Sequence, residues 1–518
     1  MLPFEIGADM ATLPPLFRWV HGPLAHWAKV QPNAVALDNG HQRLTFADLH
    51  HHVQQRAHTL CQTQMPGTIL LHRDLGVLDT LLEFLAVVAS GRCAAIGDPA
   101  WPDSVAQTVQ AAMATLSSST QPTPASNRQP TDAFYIGFTS GSTGQPKGFR
   151  RHHQSWVESF RVSLHDWGRN MATCMVAPGR MTHSLFLFGA LMGLWTGAGA
   201  VVQERFSAEQ TLLDLALRPK AVLVAVPSQL LLMIQIAQRK HLPPMPQVCY
   251  LLISGARWMR EHTPSLRQLF PNARIMEFYG ASETSYVAWM QADTVPDATA
   301  ARTGQAVGRP FSNVQLRIGA HPETPVPTGQ TGRIWVRSPM LFMDYVHAAD
   351  DSAAIWVNAG TEYDPQRRWL SVRDVGWLDA QGLLHLCGRE NRMMVTQGKN
   401  LFPEEVETRL LAHPMLAQAS VQGVPDTLRG MCIHAVLQRH PDQSAQQPRL
   451  DTLALHQWCC STLESYKAPR HWWLWQGPWP MTRSGKTDHA VIAKALEMQS
   501  GSQPSVSPIQ AVSLQTWP

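Results

Sequence analysis

The chain lacks a strong charge of either sign: 42 Lys and Arg stand against 38 Asp and Glu, a net +4 over 518 residues. So small an excess gives no long-range pull toward nucleic acid or an anionic membrane surface, and neither is an expected partner. Cysteine is sparse and unpatterned. Cys61, Cys93, Cys174, Cys249, Cys387, Cys432, Cys459 and Cys460 are scattered without a CxxC pair, so neither a zinc site nor a disulfide framework is indicated. A reducing, cytoplasmic setting is the simplest expectation. The opening residues MLPFEIGADMATLPPLF include acidic side chains and lack the basic start and continuous apolar stretch of a secretory leader. No long aliphatic run occurs either. The most apolar stretch, Ser184 to Val202, is broken by glycines and is expected to be buried core, not a membrane span.

What is present fits a multi-domain globular protein. Apolar residues make up 44% and charged residues 15%, and at roughly 100–200 residues per domain the length suggests about three folding units. The runs Ala221 to Val226 (AVLVAV) and Val248 to Ile253 (VCYLLI) alternate with helical stretches such as Ser228 to Arg239, which predicts a parallel α/β sheet. Gly332 to Arg337 and Trp369 to Leu386, with a turn at Asp379 to Gly382, read as a smaller antiparallel, barrel-like unit. After Gly388 the pattern restarts. A helix at Glu404 to Ala412, strands at Ala419 to Gly423 and Ile433 to Leu437, and a helix at Leu453 to Leu463 predict a compact α+β domain. Ser117 to Thr131 and the tail after about Gln499, rich in Ser, Pro and Gln, are expected to be loop-like or unfolded.

The segment from Tyr135 to Gly148, YIGFTSGSTGQPKG, sets a strand-like run ahead of a loop dense in Gly, Ser and Thr that ends in Lys147. Glycines let backbone N–H groups approach phosphate oxygens, hydroxyls add donors and lysine neutralises charge, so the loop suits a polyphosphate. It is not a Walker loop, because Pro146 stands where a glycine must precede the lysine. The Gly485-Lys486-Thr487 triplet fails the same pattern, with Pro480 in the first glycine position.

FTSGSTGQPKG at Phe138 to Gly148 resembles the phosphate-loop signature of the adenylate-forming superfamily of acyl-CoA synthetases, nonribosomal-peptide adenylation enzymes and luciferases. Further signatures follow in that family's order: FYGASET at Phe278 to Thr284, VRDVGWLDAQGLLHLCGR at Val372 to Arg389, QGKNLFPEEVE at Gln397 to Glu407, and TRSGKTDH at Thr482 to His489. The resemblance implies a large N-terminal domain of parallel sheets and a small barrel over 1–388 and a hinge at 389–392. A mobile α+β domain would span 393–498, followed by a disordered tail at 499–518.

The resemblance also implies roles. Thr139, Ser140, Gly141, Ser142, Thr143, Gly144 and Lys147 would hold the ATP phosphates, with Thr143 close to the chemistry. Tyr279, Gly280, Ala281 and Ser282 would line the adenine, an aromatic face and a missing side chain suiting a flat base. Glu283 would carry Mg²⁺, for which carboxylate oxygen is a fitting ligand. Asp374 would accept the ribose hydroxyls and Arg389 would make a second nucleotide contact. Lys486 would be brought to the α-phosphate by the mobile domain, its turn ordered against the larger domain by the Trp-rich segment Trp472 to Pro480. Gly398 would reach a thiol tunnel after rotation about Asn391. His183 would fall by the acyl pocket, and Arg150-Arg151-His152-His153 is either a coenzyme A contact or an ordinary solvated turn. Two positions depart from the family: Ser282 replaces a threonine, and Asn391 replaces the usual hinge aspartate or lysine.

The implied activity is AMP-forming activation of a carboxylic acid and transfer to a thiol, that of coenzyme A or of a carrier protein's phosphopantetheine arm. Acyl- or aryl-carrier-protein ligation, amino-acid adenylation and luciferase-like oxygenation share the ATP motifs, and a non-catalytic binding protein is the rival of another class. Between Met171 and Val202 there is no Asp or Glu to pair with a substrate ammonium. An unpaired buried charge is costly, so the acid is expected to be apolar, fatty or aromatic.

Overall fold

The computed structural model describes residues 17–500 and 509–511, apart from 64, 120–121, 141–145, 293–305, 359–367, 427–428, 441–450 and 483–485. The opening segment read against a leader, the phosphate-loop residues Gly141, Ser142, Thr143 and Gly144, and most of the tail lie outside these residues.

Runs that read as continuous apolar segments are strands covered on both faces. Ala221–Ala225 is buried at every position, and Val248–Ile253 at all but one. They lie parallel to each other, and the parallel set continues with Arg274–Ala281 on one side and Met175–Ala177, Ala200–Val202 and Val35–Asp38 on the other. Helices fill the crossovers, as parallel pairing requires; Pro227–Arg239 is one, begun by a proline whose missing N–H costs nothing there. Ser184–Thr196 is another. Its residues Leu187, Ala190, Leu191 and Met192 are fully buried, and among the described residues no helix is long and apolar enough to cross a membrane.

Beyond Arg274–Ala281 the same sheet becomes antiparallel through Ser285–Gln291, Ala306–Pro310, Leu384–Arg389, Asp374–Leu378 and Gly332–Arg337. The unit expected as a small barrel is thus hydrogen-bonded into the main sheet. A second sheet carries the parallel strands Thr68–Leu70, Cys93–Ala95 and Ala133–Ser140, with Pro146–His152 antiparallel to the last.

A third sheet forms after Arg392. Gly430–Arg439 pairs antiparallel with Leu416–Asp426 and parallel with His471–Trp475, and Pro403–Leu411 and Thr452–Cys460 pack on it around Val406, Leu410, Val421, Ala435 and Leu455. Two loop-like segments hold more structure than composition suggests. The helix Asp103–Ser119 enters the first of them and Ala125–Asn127 forms a 3₁₀ turn. The described part of the tail, residues 509–511, pairs antiparallel with His471–Trp475.

Candidate active site

Several candidate positions lie where strands of the first two sheets end, the usual crevice of an open α/β sheet. Ala133–Ser140 runs out into the phosphate loop, and its hairpin register sets Thr139 opposite Lys147. Lys147 Nζ lies 3.6 Å from Asp350 Oδ1, so its charge is met by a carboxylate that a polyphosphate would have to displace.

Arg274–Ala281 and Ser285–Gln291 form the hairpin that presents the next signature, with Gly280 opposite Tyr286 and Ala281 opposite Ser285. A Cβ on Gly280 would stand 1.9 Å from the Ser285 carbonyl oxygen, so the hairpin itself demands glycine here, whatever lies above it. Ser285 takes φ +56°, and Thr284 Oγ1 accepts from the Ala281 N–H at 3.0 Å to close the turn. Arg151 lies beneath. Its side chain is 1% exposed and donates to the Ser282 carbonyl (2.8 Å), the Met340 carbonyl (2.6 Å) and the Ser285 hydroxyl. Burial lowers its pKa to about 9, against the opposing pull of Glu283. Arg150 is bound through both ends of its guanidinium to Asp344, at 2.6 and 2.5 Å. The basic run is therefore neither a solvated turn nor a free phosphate contact but a brace, since alternation along the strand turns Arg150 and Arg151 to opposite faces.

The same brace places a residue that motif reading missed. The Phe342 N–H donates to the Glu283 carbonyl at 2.8 Å, which brings the Tyr345 hydroxyl 2.7 Å from Glu283 Oε1. Burial, and then the Glu283 charge, hold the Tyr345 phenol far above its usual range, so it stays a donor.

Asp374 and Arg389 face each other across an antiparallel pair, with Arg389 Nε 3.2 Å from Asp374 Oδ1. The other oxygen, Oδ2, accepts from the Tyr279 hydroxyl. Asp374 is buried, and desolvation raises its pKa against the pull of Arg389, Tyr279 and Lys486. Lys486 arrives from the far end of the chain. Desolvation, and then Arg389, lower its pKa, while Asp374 and Glu283 oppose the shift. His183 immediately precedes Ser184–Thr196 without a capping hydrogen bond from its side chain, and desolvation lowers its pKa too; Asp98 opposes that shift, whereas Arg180 and Lys486 reinforce it. Asp98 thus reaches the neighbourhood of His183 from outside the acid-free segment, but Arg180 pairs with it at 3.2 Å. Phe186, Leu187, Met192 and Trp195 pack the core, whereas Leu185 and Phe188 are only half buried.

Tyr279, Glu283, Asp374, Arg389 and Lys486 therefore share one electrostatic neighbourhood. Gly398 stands apart, in the two-residue turn between Met394–Thr396 and Lys399–Leu401, where Gln397 (φ +52°) and Gly398 (φ +73°) are both left-handed. A Cβ there would meet nothing within 4 Å, so glycine serves the backbone alone. The Trp-rich segment before Lys486 packs differently from the expectation. Trp479 Nε1 donates to Thr487 Oγ1 at 3.1 Å, but Trp475 and Trp479 pack with Val436, Ile492 and Leu496 of the third sheet's own core, not against the larger domain. Around residues 389–392, Glu390 is tied to Arg333 (2.7 Å) and Arg373 (3.2 Å), and Arg392 to Glu404 (3.0 Å) and Glu407 (2.7 Å). Exposed Asn391 lies between these opposed anchors.

Residues 80–346 match the AMP-binding enzyme family and residues 405–486 its C-terminal domain. The chain is 31% identical over 503 residues to the uncharacterized acyl–CoA ligase YhfT of Bacillus subtilis, covering 91% of this chain and 97% of that one. It is 26% identical to the 2-succinylbenzoate–CoA ligase of Arabidopsis thaliana over 389 residues, 70% of this chain and 67% of that one. Among solved structures, o-succinylbenzoate CoA synthetase (MenE) of Bacillus subtilis, in complex with its acyl-adenylate intermediate, superposes with a TM-score of 0.72 at 20% identity, covering 90% of this chain and 96% of that one.

Proposed function

The chain belongs to the AMP-binding enzyme family, and from that premise we propose that it is an ATP-dependent acid–thiol ligase, an acyl-CoA synthetase that makes an acyl-AMP and passes the acyl group to a thiol. The observation that carries this reading is that Asp374 is joined to Tyr279 and Arg389 while the charge of Lys486, which follows the strand His471–Trp475 of the third sheet in sequence, acts on Asp374 and is acted on by Glu283. The substrate carboxylate attacks the α-phosphorus of ATP in line and pyrophosphate leaves. Thr139, Ser140, Gly141, Ser142, Thr143 and Gly144 hold the outer phosphates together with Lys147, which exchanges Asp350 for them. Gly280, Ala281 and Ser282 border the adenine and Tyr279 offers it a ring face. Asp374 takes the ribose hydroxyls beside Arg389, and Lys486 meets the charge that builds on the α-phosphate. Glu283 suits magnesium: a carboxylate beside phosphate oxygens is the setting in which that ion keeps several waters, and bound there it would offset phosphate charge.

In the second half-reaction the C-terminal unit turns about Asn391, withdrawing Lys486 and advancing the Gly398 hairpin toward the thiol path. The sulfur attacks the acyl carbonyl and AMP leaves. We divide the chain accordingly into 1–388, a hinge at 389–392, a mobile 393–498 and a tail. Coenzyme A is the acceptor in this reading, with a carrier protein's phosphopantetheine as the alternative. All eight cysteines are free, which supports a cytoplasmic setting. The acid is apolar in this reading, because among the described residues Asp98, the carboxylate whose charge acts on His183, is already paired with Arg180 and is not spare for an ammonium. ATP–pyrophosphate exchange across fatty, aromatic and amino acids tests this. Exchange driven by medium-chain or benzoic acids is expected, and strong exchange with a free α-amino acid alone would overturn it. Thioester formation offered coenzyme A and a holo-carrier protein side by side decides the acceptor.

A further inference from the structure

The spacing of the cysteines gives no hint of a metal, but the third sheet assembles donors that spacing hides. Gly430–Arg439 and His471–Trp475 lie parallel with His434 opposite His471. Cys432 stands two residues before His434, so alternation puts both on one face of the strand. The Cys432 sulfur and one ring nitrogen from each histidine all lie within 4.8 Å of one another. Cys432 is buried, His434 half-buried and His471 exposed, a sulfur floor with an imidazole at the rim. Ile433, Ala435 and Trp472 point the other way into the core, which fixes the two strands against each other. None of the three donors has a part in the ATP chemistry.

We propose that Cys432, His434 and His471 bind one zinc ion, or a transition metal of similar softness, with a fourth position left to solvent. One thiolate and two imidazoles form a donor set that hard magnesium or calcium does not favour, and three protein ligands with one open position is a familiar zinc arrangement. Bond lengths of about 2.3 Å to sulfur and 2.0–2.1 Å to nitrogen bring tetrahedral ligand atoms to within roughly 3.3–3.6 Å of one another. His471, at the exposed rim, can close that difference by side-chain rotation. On binding, the S–H bond of Cys432 is exchanged for a metal–sulfur bond and the proton goes to solvent.

One contact opposes the ion and makes the proposal sharper. Trp473 Nε1–H donates to His434 Nδ1 at 3.1 Å, which makes Nδ1 the acceptor and leaves the neutral ring's proton on Nε2. If the metal takes Nδ1 it displaces the indole; if it takes Nε2 the proton moves to Nδ1 and the indole loses its acceptor. Either way Trp473 competes with the metal.

The metal-free full chain, kept reduced, is titrated with Co²⁺. A thiolate-to-cobalt absorption band is expected to saturate at one equivalent and to be displaced by Zn²⁺. Cys432→Ser should abolish the band, and His471→Ala, at an exposed position, should weaken binding at least about tenfold. Trp473→Phe should tighten binding and shift tryptophan emission no further on saturation, whereas a merely adventitious site would be indifferent to it. A band that persists in Cys432→Ser, affinity unchanged in His471→Ala, or no band in the wild-type chain would overturn the proposal.

Discussion

Asp374 and Lys486 are the opposite charges that a nucleotide would meet from two sides, and they are held in unlike ways. Asp374 is 4% exposed, fixed by strand pairing to Arg389 and hydrogen-bonded by Tyr279. Lys486 accepts from the Thr482 N–H at its carbonyl, at 2.6 Å, and its neighbour Thr487 is tied to Trp479. Strand pairing sets the first before any ligand arrives, whereas the second lies between the third sheet's strand His471–Trp475 and the helix His489–Ser500 and depends on how that unit is placed. On the proposed function, the difference teaches where preorganisation ends: a pocket for the nucleotide would be built in, and the charge for the α-phosphate would be delivered.

The largest effect should come from disturbing the fixed half. Gly280→Ala puts a Cβ against the Ser285 carbonyl, so the hairpin must open and shift Tyr279 and Glu283. Adenylation should fall by at least about 100-fold, as small displacements of reacting groups can cost that much, while the third sheet stays folded. Pyrophosphate exchange within a few-fold of wild type would mean that the hairpin is not rigid.

Asp374→Ala comes next. It removes the common acceptor of Tyr279 and Arg389, and the loss of charge-assisted hydrogen bonds, each worth about 1.5–3 kcal/mol, should raise the KM for ATP by roughly 10–100-fold. Tyr279→Phe should do less.

The hinge offers a smaller and more selective break. Asn391→Pro should restrict rotation between the anchors of Glu390 and Arg392, slowing thioester formation about tenfold while pyrophosphate exchange persists. Single-turnover assays of the two steps check this. Equal slowing of both would place the pivot elsewhere.

The smallest effect concerns acid. His21 and His152 are held at a pKa of about 4, chiefly by burial and then by Arg128 and Arg151 respectively, and burial holds His153 well below 6.5. Neutral in the fold, they take up protons on unfolding between pH 6.5 and about 4. The unfolded state binds more protons in that window, so stability is fully present above pH 6.5 and falls as pH drops toward 4. Melting curves at pH 7.5 and pH 5 should differ in that direction, and an unchanged Tm would contradict the burial of these rings.

Much of this was legible in the chain itself. Apolar runs located the parallel strands, and the motifs at Phe278 to Thr284 and Val372 to Arg389 pointed to Glu283, Asp374 and Arg389. What escaped depends on residues far apart in sequence. Tyr345 reaches Glu283 across 62 positions, Arg151 reaches Ser282 across 131 and Arg180 reaches Asp98 across 82. No local pattern encodes such pairs; sheet order does. The Trp-rich segment misled for a related reason, because apolar content says that a segment packs but not against which core. Gly280 was legible as glycine yet explained by the ligand, when the Ser285 carbonyl already requires it.

The claim that one half of the site is fixed and the other delivered is tested most directly by Lys486→Ala assayed in two steps. Acyl-AMP formation should fall by at least about 100-fold, the order expected for removing a preorganised charge from a transition state. Thioester formation from supplied acyl-AMP should stay within a few-fold of wild type, because Lys486 has left the nucleotide by then. Equal loss of both steps would mean that Lys486 belongs to the fixed half, and the account would fail.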